Sequence, residues 1–189
     1  ALQNRGILFT MMMFFLIQVC VMLLQPLITM YVGQLMGKVD DEAVQMAGVI
    51  FSLAGISGIL AAPFWGNRGQ RYGYVRTFCY ITLGAGVVNL FQFFTTDVYQ
   101  FAIVQFIFGL FLAGAIPNIN ANLAEVTDKS IRGKAFGLVT SAQMSGGFVG
   151  PLLGGALGHV LPTRLVIICA GIILIGVSTF TYCTKVKGK

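Results

Sequence analysis

The sequence predicts an all-α membrane protein, with six transmembrane helices arranged as two inverted three-helix repeats. Three observations carry this reading. Hydrophobic residues make up 57% of the 189-residue chain and charged residues only 10%, against roughly a quarter charged in soluble domains. So few charges leave too little polar surface for water to solvate, and lipid must cover the rest. The apolar residues also run uninterrupted over stretches of roughly 20 residues, the length of a bilayer-crossing helix. A barrel strand would instead be about ten residues long and strictly alternating. Finally, the chain echoes itself: displaced by 88 residues, Ser57, Gly58, Pro63 and Gly66 fall on Ser145, Gly146, Pro151 and Gly154.

The elements follow in order. The first helix spans about 6–32, from Gly6 to Val32, and carries Pro26. The second spans about 44–65, after the acidic run Asp40-Asp41-Glu42, and ends at Trp65. The third, about 77–94, is the shortest. The fourth spans about 99–124, from Tyr99 to Ala124, and carries Pro117, 91 residues after Pro26. The fifth, about 135–158, is rich in glycine, and the sixth spans about 165–184. Three helices separate the echoing copies, so the two triplets enter the membrane from opposite sides, the inverted 3+3 arrangement of some transporter folds. Trp65 and Tyr99 fall at predicted interfaces, where amphipathic rings are favoured.

Orientation follows from the basic residues. With a cytoplasmic N-terminus, ten Lys and Arg lie inside: Arg5, Arg68, Arg71, Arg76, Lys129, Arg132, Lys134, Lys185, Lys187 and Lys189. Only Lys38 and Arg164 lie outside. This bias predicts a multi-pass protein of the plasma membrane with both termini cytoplasmic. The net charge of +6 is thereby accounted for without nucleic acid. Cys20, Cys79, Cys169 and Cys183 lie in or beside apolar runs and form no CxxC pair, so they read as small apolar side chains and not as a disulfide or metal framework. The chain also lacks an acid–base pair, a metal cluster or a nucleophile–base constellation, so an enzyme is not expected and no cofactor is implied.

The fifth helix holds the sharpest pattern: Gly137, then Gly146, Gly150-Pro151 and Gly154-Gly155. Glycines at such spacing bare a helix surface so that another backbone can approach. The proline removes a donor and bends the helix. This string resembles the antiporter motif of the major facilitator superfamily at every fixed position. The loop Gly66-Asn67-Arg68-Gly69-Gln70-Arg71-Tyr72-Gly73-Tyr74-Val75-Arg76 is similar to that superfamily's loop signature. Gly66, Arg71, Gly73 and Arg76 fit it; Gln70 stands where the family has Asp and Val75 replaces a basic residue. The resemblance implies a conformational latch, whereas the residues alone equally describe a positive-inside anchor. After helix four, Glu125 and Arg132-Gly133, with Gly137 four residues on, are similar to the superfamily's equivalent loop, and the matching positions of the two triplets predict pairing of Glu125 with Arg71 when the cytoplasmic side closes.

The likeness covers essentially the whole chain. Gln25-Pro26-Leu27-Ile28-Thr29 and Ala115-Ile116-Pro117-Asn118-Ile119-Asn120-Ala121 resemble multidrug efflux members, and Gln105 and the terminal lysines resemble C-terminal halves. The resemblance implies helices seven to twelve of a twelve-helix transporter, partnered by a second six-helix half that this sequence lacks. It also implies that helices one, two, four and five line a central cavity. Helical spacing then selects the faces: Gln18, Met22, Gln25 and Thr29 on helix one; Phe108, Phe111, Ala115, Asn118 and Asn122 on helix four; Phe136, Thr140, Gln143 and Gly147 on helix five. Neutral amides among Phe and Met suit an apolar ligand with some hydrogen-bonding capacity, although each amide serves interhelical bonding as readily. The Met11-Met12-Met13 run reads as lipid-facing or packing. No Asp, Glu, Lys, Arg or His lies near the middle of a predicted helix. Ionisable groups inside membranes mark ion pathways, so a proton-carrying carboxylate belongs to the absent half. His159 reads as an interfacial residue. The expected function is half of a secondary active transporter for proton-coupled efflux of drugs or other lipophilic small molecules by alternating access. The alternatives are a facilitator or symporter of a polar solute such as a sugar, a non-transporting scaffold fragment, or a stand-alone homodimerising half.

Overall fold

The computed structural model describes residues 5–38 and 40–186, and among these described residues seven α-helices are joined by short turns. The side chain of Arg5 and the terminal Lys187 and Lys189 lie outside the described residues. The helices are α1 (Arg5–Met36), α2 (Asp41–Tyr72), α3 (Tyr74–Phe91), α4 (Val98–Leu112), α5 (Ala115–Val126), α6 (Arg132–Val160) and α7 (Thr163–Thr181). A 3-10 turn extends α3 through Gln92–Phe94, and a π-helical turn extends α7 through Tyr182–Val186.

The expected second helix is longer than its apolar stretch. It continues through the Gly- and Arg-bearing segment to Tyr72, so most of the predicted loop is helical. Only Gly73 leaves the helix, at φ 91, a backbone angle that side chains disfavour. The expected fourth helix is broken in two at Ala113–Gly114. Pro117 has no N–H for the carbonyl of Ala113, and its ring crowds that carbonyl, so the break falls four residues before the proline. Pro26, Pro63 and Pro151 lie inside α1, α2 and α6 without such a break.

Among the described residues five segments are long and apolar enough to cross a membrane by length and composition: Gly6–Met36, Asp41–Tyr72, Tyr74–Phe94, Val98–Val126 and Thr163–Val186. The α4–α5 pair counts as one of these. Helix α6, at 29 residues, matches them in length, but its glycines and hydroxyl residues dilute its apolarity.

The turns cluster at two ends. Gly6, Gly73, Glu125 and Lys185 line one cleft, so the starts and ends of alternate helices meet there. At the opposite end the Tyr31 hydroxyl donates to the Thr95 carbonyl at 3.3 Å, and Arg164 Nη2 donates to the same oxygen at 3.4 Å. Gln92 Nε2 donates to Gln105 Oε1 at 2.7 Å beneath them. That end also holds the α1–α2 turn. Lys38 N donates to Gly33 O at 3.1 Å over Gly37 at φ 70, and Asp40 caps α2 by accepting from Ala43 N at 3.1 Å.

Packing is led by three helix pairs, α1 with α6, α3 with α7, and α2 with α4. Lipid tails are as apolar as the helices, so burial alone does not bring helices together, and close van der Waals approach must. Glycine supplies that approach in each pair. A Cβ on Gly86 of α3 would lie 3.0 Å from Gly171 O of α7, and one on Gly109 of α4 would lie 3.1 Å from Ala54 O of α2. On α6, Cβ atoms on Gly146, Gly150 and Gly154 would lie 2.7, 3.0 and 2.3 Å from the carbonyls of Phe15, Val19 and Leu23. Three glycines at four-residue spacing thus face three carbonyls at four-residue spacing. Two apolar clusters fill the ends of the bundle, one around Leu23, Tyr31, Phe101 and Val166, the other around Ile7, Met13, Phe78 and Leu123. Met13 is fully buried and accepts from Thr181 Oγ1 at 3.1 Å, whereas Met12 is exposed. Between the clusters only Cys20, Ala85, Phe108 and Leu174 form a small central core.

Candidate functional site

The sparse middle of the bundle borders a cleft of about 350 Å³ between α1, α2, α4 and the start of α5. Gln18 and Gln25 enter it from α1, Gln105 and Phe108 from α4, and Ala113 and Ile116 from either side of the α4–α5 break. Gly55 and Gly58 leave the α2 wall bare, with open space above Gly55 and only Ala113 within 4 Å above Gly58. The polar groups here are amides. Gln18 Oε1 accepts from Gln143 Nε2 of α6 at 3.4 Å, and Gln105 Oε1 accepts from Gln92. Each of these oxygens accepts one bond, which orients the amide and keeps the NH₂ groups of Gln18 and Gln105 as donors. Among the described residues no ionisable side chain lines this cleft. The site therefore offers apolar surface with a few neutral donors, and no charged group to fix a ligand.

The bend in its wall is stabilised from α2. Gly114 N bonds Phe111 O at 3.3 Å instead of continuing the α-helical pattern, which frees Leu110 O. Trp65 Nε1 donates to that oxygen at 2.7 Å. The half-buried indole thus bonds a neighbouring helix. A turn further along, Asn118 is buried and its Nδ2 donates to Gly114 O at 2.8 Å and Trp65 O at 3.3 Å.

The remaining residues predicted for a cavity are dispersed. Met22 packs at the α1–α6 seam, its Cβ 2.6 Å from where a Cβ on Gly150 would lie. Thr29 is half-buried on α1 outside the cleft. Phe111 occupies a socket over Gly84 of α3, where a Cβ would meet its ring at 2.4 Å, and lines a groove on the far side of α4. Asn118 sits between α2 and α5 against Gly69. Asn122 lines the terminal cleft of about 430 Å³ with Arg76 and Glu125. Thr140 is exposed on α6, Phe136 packs against the Ile7 cluster, and Ala115 is buried in that cluster. Gly147 lies 3.8 Å from Gln18 by its would-be Cβ. Sequence reasoning did not select Gln105, Gly55, Gly58 or Ile116, whose signal is a glycine pair and an amide on helices already expected to line a cavity.

The glycine motif divides by face. Gly146, Gly150 and Gly154 meet α1, while Gly137 and Gly155 have open space above them and Pro151 is exposed. Of the predicted gate residues, Gly66, Gln70 and Arg71 ride on the last turns of α2 and Gly73 is the α2–α3 joint. Arg132 Nη2 donates to Ala124 O at 2.7 Å, closing the C-terminal end of α5. Arg71 and Glu125 do not pair; among the described residues the ion pairs join Lys38 to Asp40 and Glu42.

Comparison with known proteins agrees with these features. The sequence pattern of the Major Facilitator Superfamily matches residues 7–185. Multidrug resistance protein MdtG of Escherichia coli O1:K1 / APEC is 30% identical over 167 residues, which is 87% of this chain and 40% of that protein. MdtG of E. coli strain K12 / DH10B and of strain SE11 match with the same identity and coverage. The chain therefore spans well under half the length of these relatives.

Proposed function

The chain belongs to the major facilitator superfamily, and from that membership we propose that it is the C-terminal half of a twelve-helix exporter of lipophilic small molecules. Transporters, and not enzymes, make up this family, and the apolar helices make the chain an integral membrane protein. The observation that carries the proposal is the neutral cleft of amides set in apolar walls. A ligand there gains from burial of its apolar surface, with Gln18, Gln25 and Gln105 supplying a few adaptable hydrogen bonds. A polar solute would need many fixed donors and acceptors, whereas this cleft presents few polar side chains, and the amides of Gln18 and Gln105 are already partly engaged with Gln143 and Gln92. The name multidrug resistance protein borne by MdtG favours the same substrate class.

Further features support the finer parts of this reading. Helix α6 serves as the fifth span and α4–α5 as the fourth. The first span packs on the fifth and the second on the fourth, a pairing that two triplets related by inversion would give. Helix α2 is the least covered span: 22% of its most apolar stretch is buried, against 39–50% for the other four. Together with the outward Gly137, Pro151 and Gly155 of α6, it offers a face for the second six-helix half. The basic residues gather at the end holding Gly73 and Lys185, which favours that end as cytoplasmic in the plasma membrane. With no ionisable group in the cleft, proton coupling falls to a carboxylate of the other half. The two halves then rock about the cleft, with the α2–α3 joint at Gly73 and the Arg76–Glu125 cleft acting as the inner closure.

The test is uptake of the neutral dye Nile red into inverted vesicles containing the complete protein, where export runs inward, with and without collapse of the proton gradient. Dye accumulation that needs the gradient and weakens in Gln25→Ala supports the proposal. Gradient-driven sugar movement without dye movement overturns it.

A further inference from the structure

Building on the exporter reading, we propose that Trp65 is the positioning residue of the cleft: its indole N–H holds the α4–α5 break open and so sets the wall that a ligand meets. The break has two chemical causes at different places. Pro117 cannot bond Ala113 O, and Gly114 N turns to Phe111 O, which leaves Leu110 O without its helical donor. A carbonyl left unpaired inside a membrane bundle is costly. Trp65, on a different helix, supplies the missing donor at 2.7 Å. Gly114 makes room for this, since a Cβ there would lie 2.4 Å from Trp65 Cβ and 2.5 Å from Cγ. The ring also stands 5.7 Å from that of Phe111.

The cleft depends on the bend. Gly109 and Leu112 line it before the break, and Ala113 and Ile116 at and after it. Were the segment a straight helix, Gly114 N would return to Leu110 O, Ile116 would rotate with α5, and the indole would have no acceptor to seek. Trp65 does not line the cleft, so it acts on it through α4 and α5.

Trp65 and Pro117 are therefore expected to be coupled in a way that a packing role would not produce. In the complete protein, reconstituted with Cys20, Cys79, Cys169 and Cys183 replaced by alanine, spin labels at the exposed positions 103 and 126 read the bend. A straight helix would hold those Cα atoms about 35 Å apart. Trp65→Phe keeps an aromatic ring and removes the donor. It is expected to broaden the distance distribution and to raise the KM for Nile red about 3- to 10-fold, the weight of one hydrogen bond, with Vmax little changed. Pro117→Ala restores the helical donors, so adding Trp65→Phe to it is expected to change neither quantity further. Equal effects of Trp65→Phe in both backgrounds, or an unchanged distance in the first, overturn the proposal. Should Trp65→Phe fail to assemble, Gly114→Ala displaces the same ring and is expected to broaden the same distance; an unchanged distance there is equally fatal. If the distances couple but no dye moves, the hinge stands and the exporter reading falls.

Discussion

Gly154 and Gly155 are adjacent on one helix, yet the structure predicts opposite consequences for the same substitution. A Cβ on Gly154 would lie 2.3 Å from Leu23 O and 3.1 Å from Leu23 C, whereas one on Gly155 would meet nothing within 4 Å. A comfortable carbon–oxygen contact is about 3.3 Å, so Gly154→Ala requires α6 to withdraw from α1 by about 1 Å. The obstacle is main chain and cannot rotate aside. Forcing a methyl into such a seam costs about 1–3 kcal/mol. Both variants share the gain of about 1 kcal/mol from replacing glycine by alanine inside a helix. Their difference therefore isolates the clash: Gly154→Ala is expected to be less stable than Gly155→Ala by about 1–3 kcal/mol, roughly 5-fold to over 100-fold in the folding equilibrium. Denaturant unfolding of the purified complete protein in detergent measures it, with both variants in one experiment. Equal stability, or a more stable Gly154→Ala, would refute the account of α6 as a helix seated on the carbonyls of α1.

Two further outcomes follow from the end of the bundle that holds Tyr31. Gln105→Leu removes the partner of buried Gln92 Nε2 and is expected to cost about 1–3 kcal/mol, the penalty of an unmet donor; adding Gln92→Leu recovers part of it in the same unfolding assay, because the donor is then gone. Asp40 is held below the usual carboxylate range, chiefly by the Ala43 amide it accepts from and also by Lys38. The lowered value means the cap stabilises the native turn above the ordinary carboxylate range and is lost as pH falls through the native value. Amide exchange at Ala43, normalised for intrinsic rate, is expected to show protection that declines only in strong acid, and Asp40→Asn, which caps without titrating, is expected to flatten that profile.

The helical class and the order of the spans were legible from apolar run length, because a bilayer demands it wherever the chain crosses. Helix ends were less so. Gly66, Gly69 and Gln70 look like turn chemistry, yet α2 keeps its hydrogen bonds through them, and only Gly73 takes a positive φ. The break at Ala113–Gly114 was written in Pro117, but a proline acts on the carbonyl four residues upstream. The stripe drawn on an unbroken fourth helix consequently dispersed beyond that point, leaving Asn118 against Gly69 and Asn122 in the terminal cleft. Phe111 departs for another reason, since bare Gly84 on α3 offers it a socket. Such sockets are complementarities between distant residues, and helical spacing alone does not contain them. The amide pairs Gln18–Gln143 and Gln92–Gln105 were visible as residues but not as pairs.

The seam between α1 and α6 carries a consequence for how such a chain diversifies. The glycines of α6 press against oxygens of Phe15, Val19 and Leu23, and every amino acid presents that same oxygen. The fit is consequently blind to which side chains α1 displays elsewhere around its circumference. Positions such as Gln25 are free to be exchanged by evolution for other shapes and polarities while the rod they stand on stays docked. The lining of the cleft is thus open to rapid drift, whereas the scaffold beneath it depends on a handful of residues that have no side chain to vary.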